Sequence, residues 1–341
     1  MPESSIQNFN HIKIHSQYSI CEGALKIDDL QSFSKSNKIK SLGLCDTTNL
    51  CGALEFSEKI SKIGTQPIIG TQINFKYNET IGLLPLFALD DSGYKRIIKL
   101  SSLSYLDNDE VSDPHIKFDE LLKDNEGVGI FSGTVLGLFG QLFDKGKFSE
   151  ILELYKKLKS SFGDRFYLEI QRHNDQNEKG FEKFNLKKSL ELEIPIIATN
   201  EVFYINKDMH EAHDALICIG HKTYINEKSR IRFSDQHYLK SNSEMLELFA
   251  DLPEALENNY NFPLRCSFRP LYSNPILPNI SSEKGGNADD ILKIDSLNGL
   301  KIKFEKIFGI KTMDLEKDTT FVEYKDRLEH ELSIIIEMKY S

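Results

Sequence analysis

Hydrophobic and polar residues along this chain follow two periods. His11-Ile12-Lys13-Ile14-His15 changes polarity at every step. That is the period of a strand, and it puts His11, Lys13 and His15 on one face. Further strands are predicted at Ser41–Cys45, Pro67–Phe75, Leu83–Leu89, Val128–Phe131, Phe166–Ile170 and Ile194–Ala198. Helical spacing predicts helices at Ile27–Ser36, Ala53–Lys62, Gly93–Leu103, Phe148–Ser160 and Glu178–Leu192. Strands and helices alternate to about residue 220, a pattern that predicts parallel βα units.

The organisation then changes. Asp208–Asn261 reads as helices separated by loops, with Pro253 suited to a first turn. Pro263–Ala288 is rich in Pro, Ser, Asn and Gly and is the best linker candidate. Beyond it, Thr320-Phe-Val-Glu323 has the form of a capping box. Phe321, Tyr324, Leu328, Leu332 and Ile335 continue it as a helical stripe. The expected division is a domain over 1–270, a linker over 271–288 and a further region over 289–341. The stripe runs towards Ser341 without a C-cap signal, so this last helix is expected to be cut.

Composition narrows the class. The 341 residues are 40% hydrophobic, enough for a sizeable core. The net charge of -10 argues against strong duplex-DNA binding by this chain alone, because neutralising phosphates supplies most such affinity. The five cysteines form no C-x-x-C pair, which argues against a structural zinc site or a disulfide framework. No signal-peptide h-region is visible. The longest apolar run, Ile81–Leu89, contains Gly82 and Pro85 and falls well short of the roughly 20 residues of a membrane span. A soluble, cytoplasmic protein with no membrane partner is expected.

Polar residues gather near strand ends: Asp46 and Thr47 after one strand, Gln72 within the next. In barrels of βα units, sites form at the C-terminal ends of strands. Phe9-Asn-His-Ile-Lys-Ile-His-Ser16 resembles the first motif of the polymerase and histidinol phosphatase (PHP) superfamily. Ser41 to Phe56 resembles its second motif, and Pro67-Ile-Ile-Gly-Thr-Gln72 its third. Phe166 to His173 and Ile197 to Tyr204 resemble later ones. Leu248 to Leu256 and Glu323 to Tyr340 are similar, more narrowly, to the N-terminal region of bacterial replicative DNA polymerase III alpha subunits. The resemblance implies an α/β fold: a distorted βα barrel of the PHP type, followed by the start of a polymerase palm region.

The family's active site implies His, Asp, Glu and sometimes Cys around two or three metal ions, which hold phosphate oxygens and generate hydroxide. By this resemblance His15 and His173 stand at ligand positions and are kept. Lys13 replaces a histidine, Glu22 an aspartate, Thr47 a histidine and Gln72 a glutamate. Thr134 stands where a Cys or His would sit, Glu201 replaces an aspartate and Phe203 a histidine. An ammonium, a hydroxyl, an amide and a benzene ring cannot hold such a cluster. The site is therefore expected to be vestigial, with no catalytic residues and no metal in this chain. Without metal, Glu22, Asp46 and Glu201 would repel one another, and Lys13 could supply the missing charge. The alternative is a solvent-facing Lys13 paired with nothing.

Other features carry less. Gly133, Gly137 and Gly140 suggest a glycine-rich loop, but no Gly-Lys-Ser/Thr follows. Lys228, Arg230 and Arg232 read as a solvated basic face or a phosphate contact. His210 and His213 read as exposed or capping residues. The resemblance implies the N-terminal part of a DNA-directed DNA polymerase acting in replication, its Mg²⁺-binding carboxylates beyond Ser341. The PHP region would be a scaffold that docks a proofreading exonuclease subunit among other replicase subunits, with DNA reached through the missing part. The alternatives are an active metal-dependent phosphoesterase or 3'-5' exonuclease of the same superfamily, and a stand-alone binding module.

Overall fold

The computed structural model describes residues 8–108, 113–275, 287–309 and 315–341. The chain divides into two compact units, Met1–Tyr272 and Ser273–Ser341.

The first unit is built on strands β1 (Ser41–Thr47), β2 (Gln66–Tyr77), β3 (Thr80–Ala88), β4 (Ile116–Lys117), β5 (Val128–Phe131), β6 (Phe166–Ile170) and β7 (Ile196–Ala198). They pair in the order β1-β2-β3-β5-β6-β7, and β4 adds to β2. Parallel pairing was expected throughout, but β3 runs antiparallel to both β2 and β5. The reason is local. Only Asn78 and Glu79 separate β2 from β3, and Asn78 takes the left-handed φ of 51° that a tight turn needs. A parallel crossover needs a dozen or more residues.

The segment His11–His15 does not form a regular strand. It lies between β1 and the chain just after β7 and bonds to both. Gly43 and Cys45 donate to the carbonyls of His11 and Ile14 at 2.8 Å. On the other side, Val202 N donates to Lys13 O at 3.0 Å and His15 N to Val202 O at 2.9 Å. Gly43 permits the approach, because a Cβ there would overlap the Ile12 carbonyl. The segment thus bridges the two ends of a curled sheet.

The curl is visible in the packing. Ile12, Cys45 (β1), Ile68 (β2), Phe87 (β3), Phe131 (β5), Tyr167 (β6) and Ile197 (β7) form one buried cluster with Phe262. One side chain comes from each strand of the ladder, so the strands face a common interior. Side chains alternate along a strand. The interior face of β1 therefore continues from Cys45 to Thr47, that of β2 from Ile68 through Gly70 to Gln72, and that of β6 from Tyr167 to Glu169.

Helices cover the outside. Ala53–Ser61 buries Phe56 and Ile60, and Phe148–Phe162 buries Ile151, Leu154, Tyr155 and Leu158, spacings of one helical face. Pro253 opens the helix Pro253–Asn261 as its sequence suggests. The chain remains packed past Pro263: Gln66 Nε2 donates to the carbonyls of Pro263 and Cys266 at 2.8 Å, and Ser57 Oγ to that of Pro270 at 2.7 Å. Of the expected linker, 276–286 lies outside the described residues.

The second unit contains helices Ala288–Phe308 and Thr319–Glu337. Phe304, Leu315 and Phe321 form its small core. The second helix is capped not by Thr320 but by Asp318, whose carboxylate accepts from Phe321 N at 2.9 Å. Asp318 is itself a favoured N-cap residue and stands three positions before that donor, the reach a cap needs.

Candidate functional site

The interior-facing polar residues meet near the C-terminal ends of β1, β6 and β7. Lys13 is completely buried, with Nζ 3.1 Å from Glu201 Oε1 and 3.7 Å from Glu169 Oε1. Glu201 also meets His15 Nε2 at 3.2 Å and accepts from Gln72 Nε2 at 3.0 Å. Gln72 Nε2 lies 3.1 Å from the same ring nitrogen of His15. The other nitrogen, His15 Nδ1, sits 3.3 Å from Ser19 Oγ and 3.5 Å from Thr47 Oγ1. Phe203 stacks on the His15 ring at 4.5 Å.

Asp46 is buried at the edge of this group but faces away from Lys13. Its carboxylate accepts from Ser16 N at 2.7 Å, Ser19 Oγ at 2.7 Å and Ser16 Oγ at 2.9 Å. Three expected residues do not join. Glu22 contributes only its carbonyl, which accepts from His213 Nε2 at 2.8 Å. Thr134 Oγ1 turns back to accept from Leu136 N at 3.1 Å. His173 is buried but faces Asn200 and His237. Each follows from the local chain: Glu22 and Thr134 lie in turns, and His173 lies past the end of β6.

Burial and charge compete here. Burial alone pulls the Lys13 ammonium down, but Glu169 and Glu201 outweigh it and its pKa is raised. Burial pushes Glu201 up, yet Lys13 and His15 prevail and hold it well below the usual carboxylate range. For Glu169 burial wins over Lys13, and for Asp46 it wins over the Ser19 hydroxyl, so both are raised. The interior thus centres on one ammonium and one firmly ionised carboxylate.

Residues 11–173 match the PHP domain family. The chain carries a PHP domain. It is 37% identical over 339 residues to DNA polymerase III subunit alpha of Rickettsia conorii, covering 98% of this chain and 28% of that protein. It is 33% identical over 353 residues to the same subunit of Caulobacter vibrioides, covering 100% of this chain and 30% of that one. The chain therefore spans less than a third of the length of these relatives. A solved two-domain protein from Bacteroides vulgatus, containing a predicted PHP-like metal-dependent phosphoesterase, aligns with 70% of this chain and 62% of its own at 13% identity and a TM-score of 0.37.

The metal cluster that PHP relatives imply does not fit this PHP domain. A buried ammonium already sits against Glu201 and Glu169, where a cation would be needed. Lys13 Nζ has no lone pair while protonated, and the Phe203 ring has no ligand atom. Gln72 directs its N–H towards Glu201 rather than a lone pair.

Glu169 escaped the sequence reading. Its signal was present: it is the single charged residue in Phe166-Tyr-Leu-Glu-Ile170, two positions from an interior tyrosine. One member of the basic cluster and one of the histidine pair also differ from expectation, while Lys228 and Arg232 are exposed as expected. Arg230 is buried against Asp214, with Nη2 2.7 Å from Oδ2, rather than solvated. His213 is buried beneath the Glu22 carbonyl rather than exposed. All five cysteines are free thiols. No helix among the described residues is long and apolar enough to cross a membrane.

Proposed function

We propose that this chain is the N-terminal part of a replicative DNA-directed DNA polymerase and that its PHP domain is a catalytically inactive scaffold. The observation that carries this reading is the Lys13 ammonium between Glu201 and Glu169. It gives the polar interior an internal counterion and removes the need for metal there. Without clustered ions nothing lowers the pKa of an attacking water towards about 7. What the interior does instead is mechanical: it ties residues 11–15, β2, β6 and the loop after β7 together through one polar network.

In this reading 289–341 begins a palm region, and the carboxylates that hold Mg²⁺ for nucleotidyl transfer belong to the rest of the polymerase. The scaffold docks a proofreading exonuclease subunit within the replicase, and DNA is engaged by the remainder of the protein. Supporting this are the alignment with polymerase alpha subunits over nearly the whole chain and its acidic charge of -10.

The test is cleavage of a phosphomonoester and of single-stranded DNA by the purified chain, with Mn²⁺ or Mg²⁺. Background rates are expected. Metal-dependent cleavage abolished by His15→Ala overturns the scaffold reading in favour of an active phosphoesterase or exonuclease.

A further inference from the structure

Next to Phe203, whose ring also meets His237 at 5.4 Å, lies a second polar cluster. His173 and Asp175 follow β6, and His237 comes from the loop before the helix Asn242–Leu248. Ligand atoms of the three lie within 4.8 Å of one another, the one such group of His, Cys, Asp or Glu found among the described residues. Both histidines are 1% exposed, and their rings stack at 4.0 Å, 8° from parallel.

The hydrogen bonds leave a specific imbalance. His237 Nδ1 lies 3.1 Å from the carbonyl oxygen of Glu201, which can only accept. In a neutral ring that nitrogen therefore carries the proton. Nε2 is then a lone pair, yet it faces a second acceptor, Asp175 Oδ2, at 3.1 Å. His173 repeats the arrangement. Its Nε2 lies 3.0 Å from Asn200 Oδ1, whose amide is oriented by Lys240 donating to that oxygen and by Asn200 Nδ2 donating to the Tyr238 carbonyl. The remaining lone pair, on His173 Nδ1, is buried without a hydrogen-bond partner and sits 3.5 Å from Glu178 Oε1.

With both rings neutral, two nitrogen lone pairs thus face two carboxylates, and a shared cation would satisfy both contacts. Each ring also donates its other N–H to a protein oxygen on adjacent residues, Asn200 and Glu201. Outer partners of this kind fix the tautomer and direction of a metal-ligating histidine.

We propose that His173, Asp175 and His237 bind one dication of the zinc class. Two imidazoles and a carboxylate suit Zn²⁺ or Co²⁺ better than Mg²⁺ or Ca²⁺. A tetrahedral ion with bonds of about 2.0–2.1 Å holds two nitrogens about 3.3 Å apart, so the stacked rings splay on binding. The fourth position is left to water or Glu178. This site uses none of Lys13, Thr47, Gln72 or Phe203 as a ligand and departs from the expectation of a metal-free chain.

The 341-residue chain, stripped with chelator, is titrated with Zn²⁺ by calorimetry and with Co²⁺ by visible absorption. One Zn²⁺ per chain and the intense bands of four-coordinate Co²⁺ are expected. Both are lost, with affinity at least 100-fold weaker, in His237→Asn and Asp175→Asn, while His210→Asn is unchanged. Circular dichroism of the metal-free variants checks folding, and Asp175→Asn, at the least buried of the three ligands, carries the test if His237→Asn does not fold. No saturable binding, or one ion that survives both substitutions, overturns this site. Two or more ions lost together with His15→Asn overturn the scaffold reading instead.

Discussion

Lys13 Nζ stands 3.1 Å from Glu201 Oε1 with the whole lysine side chain removed from solvent. A surface pair at that distance contributes about 0–1 kcal/mol. Here removing one partner leaves the other charge buried, a loss of about 3–5 kcal/mol. Lys13→Met is therefore expected to lower unfolding free energy by several kcal/mol in urea titration. A change near zero leaves the charge-replacement idea without support.

Glu201 and Glu169 share this ammonium unequally. Glu201 is nearer and is held ionised, whereas burial raises Glu169. Glu201→Gln should cost about 3 kcal/mol, and Glu169→Gln, which keeps an acceptor for Thr199 and Gln171, about 1 kcal/mol. Equal losses, or the reverse order, contradict the assignment of the charge to Glu201.

The segment 11–15 is seated against β1 at Gly43, where a Cβ would overlap the Ile12 carbonyl. Gly43→Ala should destabilise the first unit by about 1–3 kcal/mol through overpacking. Hydrogen exchange should quicken at Gly43 and Cys45, whose amides bond to this segment. Exchange unchanged at both amides shows that the segment is held elsewhere.

His11 is buried with Nε2 2.9 Å from the Lys240 carbonyl, and burial lowers its pKa to about 4. An unfolded histidine titrates near about 6.5. Between these values the unfolded chain binds the extra proton, so stability falls as pH drops from about 6.5 to 4, by up to about 1.4 kcal/mol per pH unit. His213, lowered to about 4 mainly by burial, acts in the same sense. Asp46 and Glu169, raised by burial, act in the opposite sense. The comparison that isolates His11 is His11→Asn: its stability, measured by urea midpoint at pH 7 and pH 5, should depend less on pH than that of the parent chain.

The sequence alone determined most of the helices and strands and the residue types that make poor metal ligands. Helices such as Phe148–Phe162 and Glu178–Leu192 are legible because a buried face repeats every three to four residues. Lys13, Thr47, Gln72 and Phe203 declare themselves poor ligands by residue type, whatever surrounds them. Strand direction was not legible, because β2 and β3 have the same alternation either way and only the Asn78-Glu79 turn makes them antiparallel. The partner of Lys13 was legible only as one of Glu22, Asp46 and Glu201. Alternation put Lys13 and His15 on one face, but which carboxylate that face meets depends on how the sheet curls. The curl brought Glu201 and the unsuspected Glu169 to the ammonium and turned Asp46 towards Ser16 and Ser19. It also brought His237 onto His173 from 64 residues further along the chain. Local sequence records which groups are available; burial of the sheet's interior face decides which of them must neutralise one another.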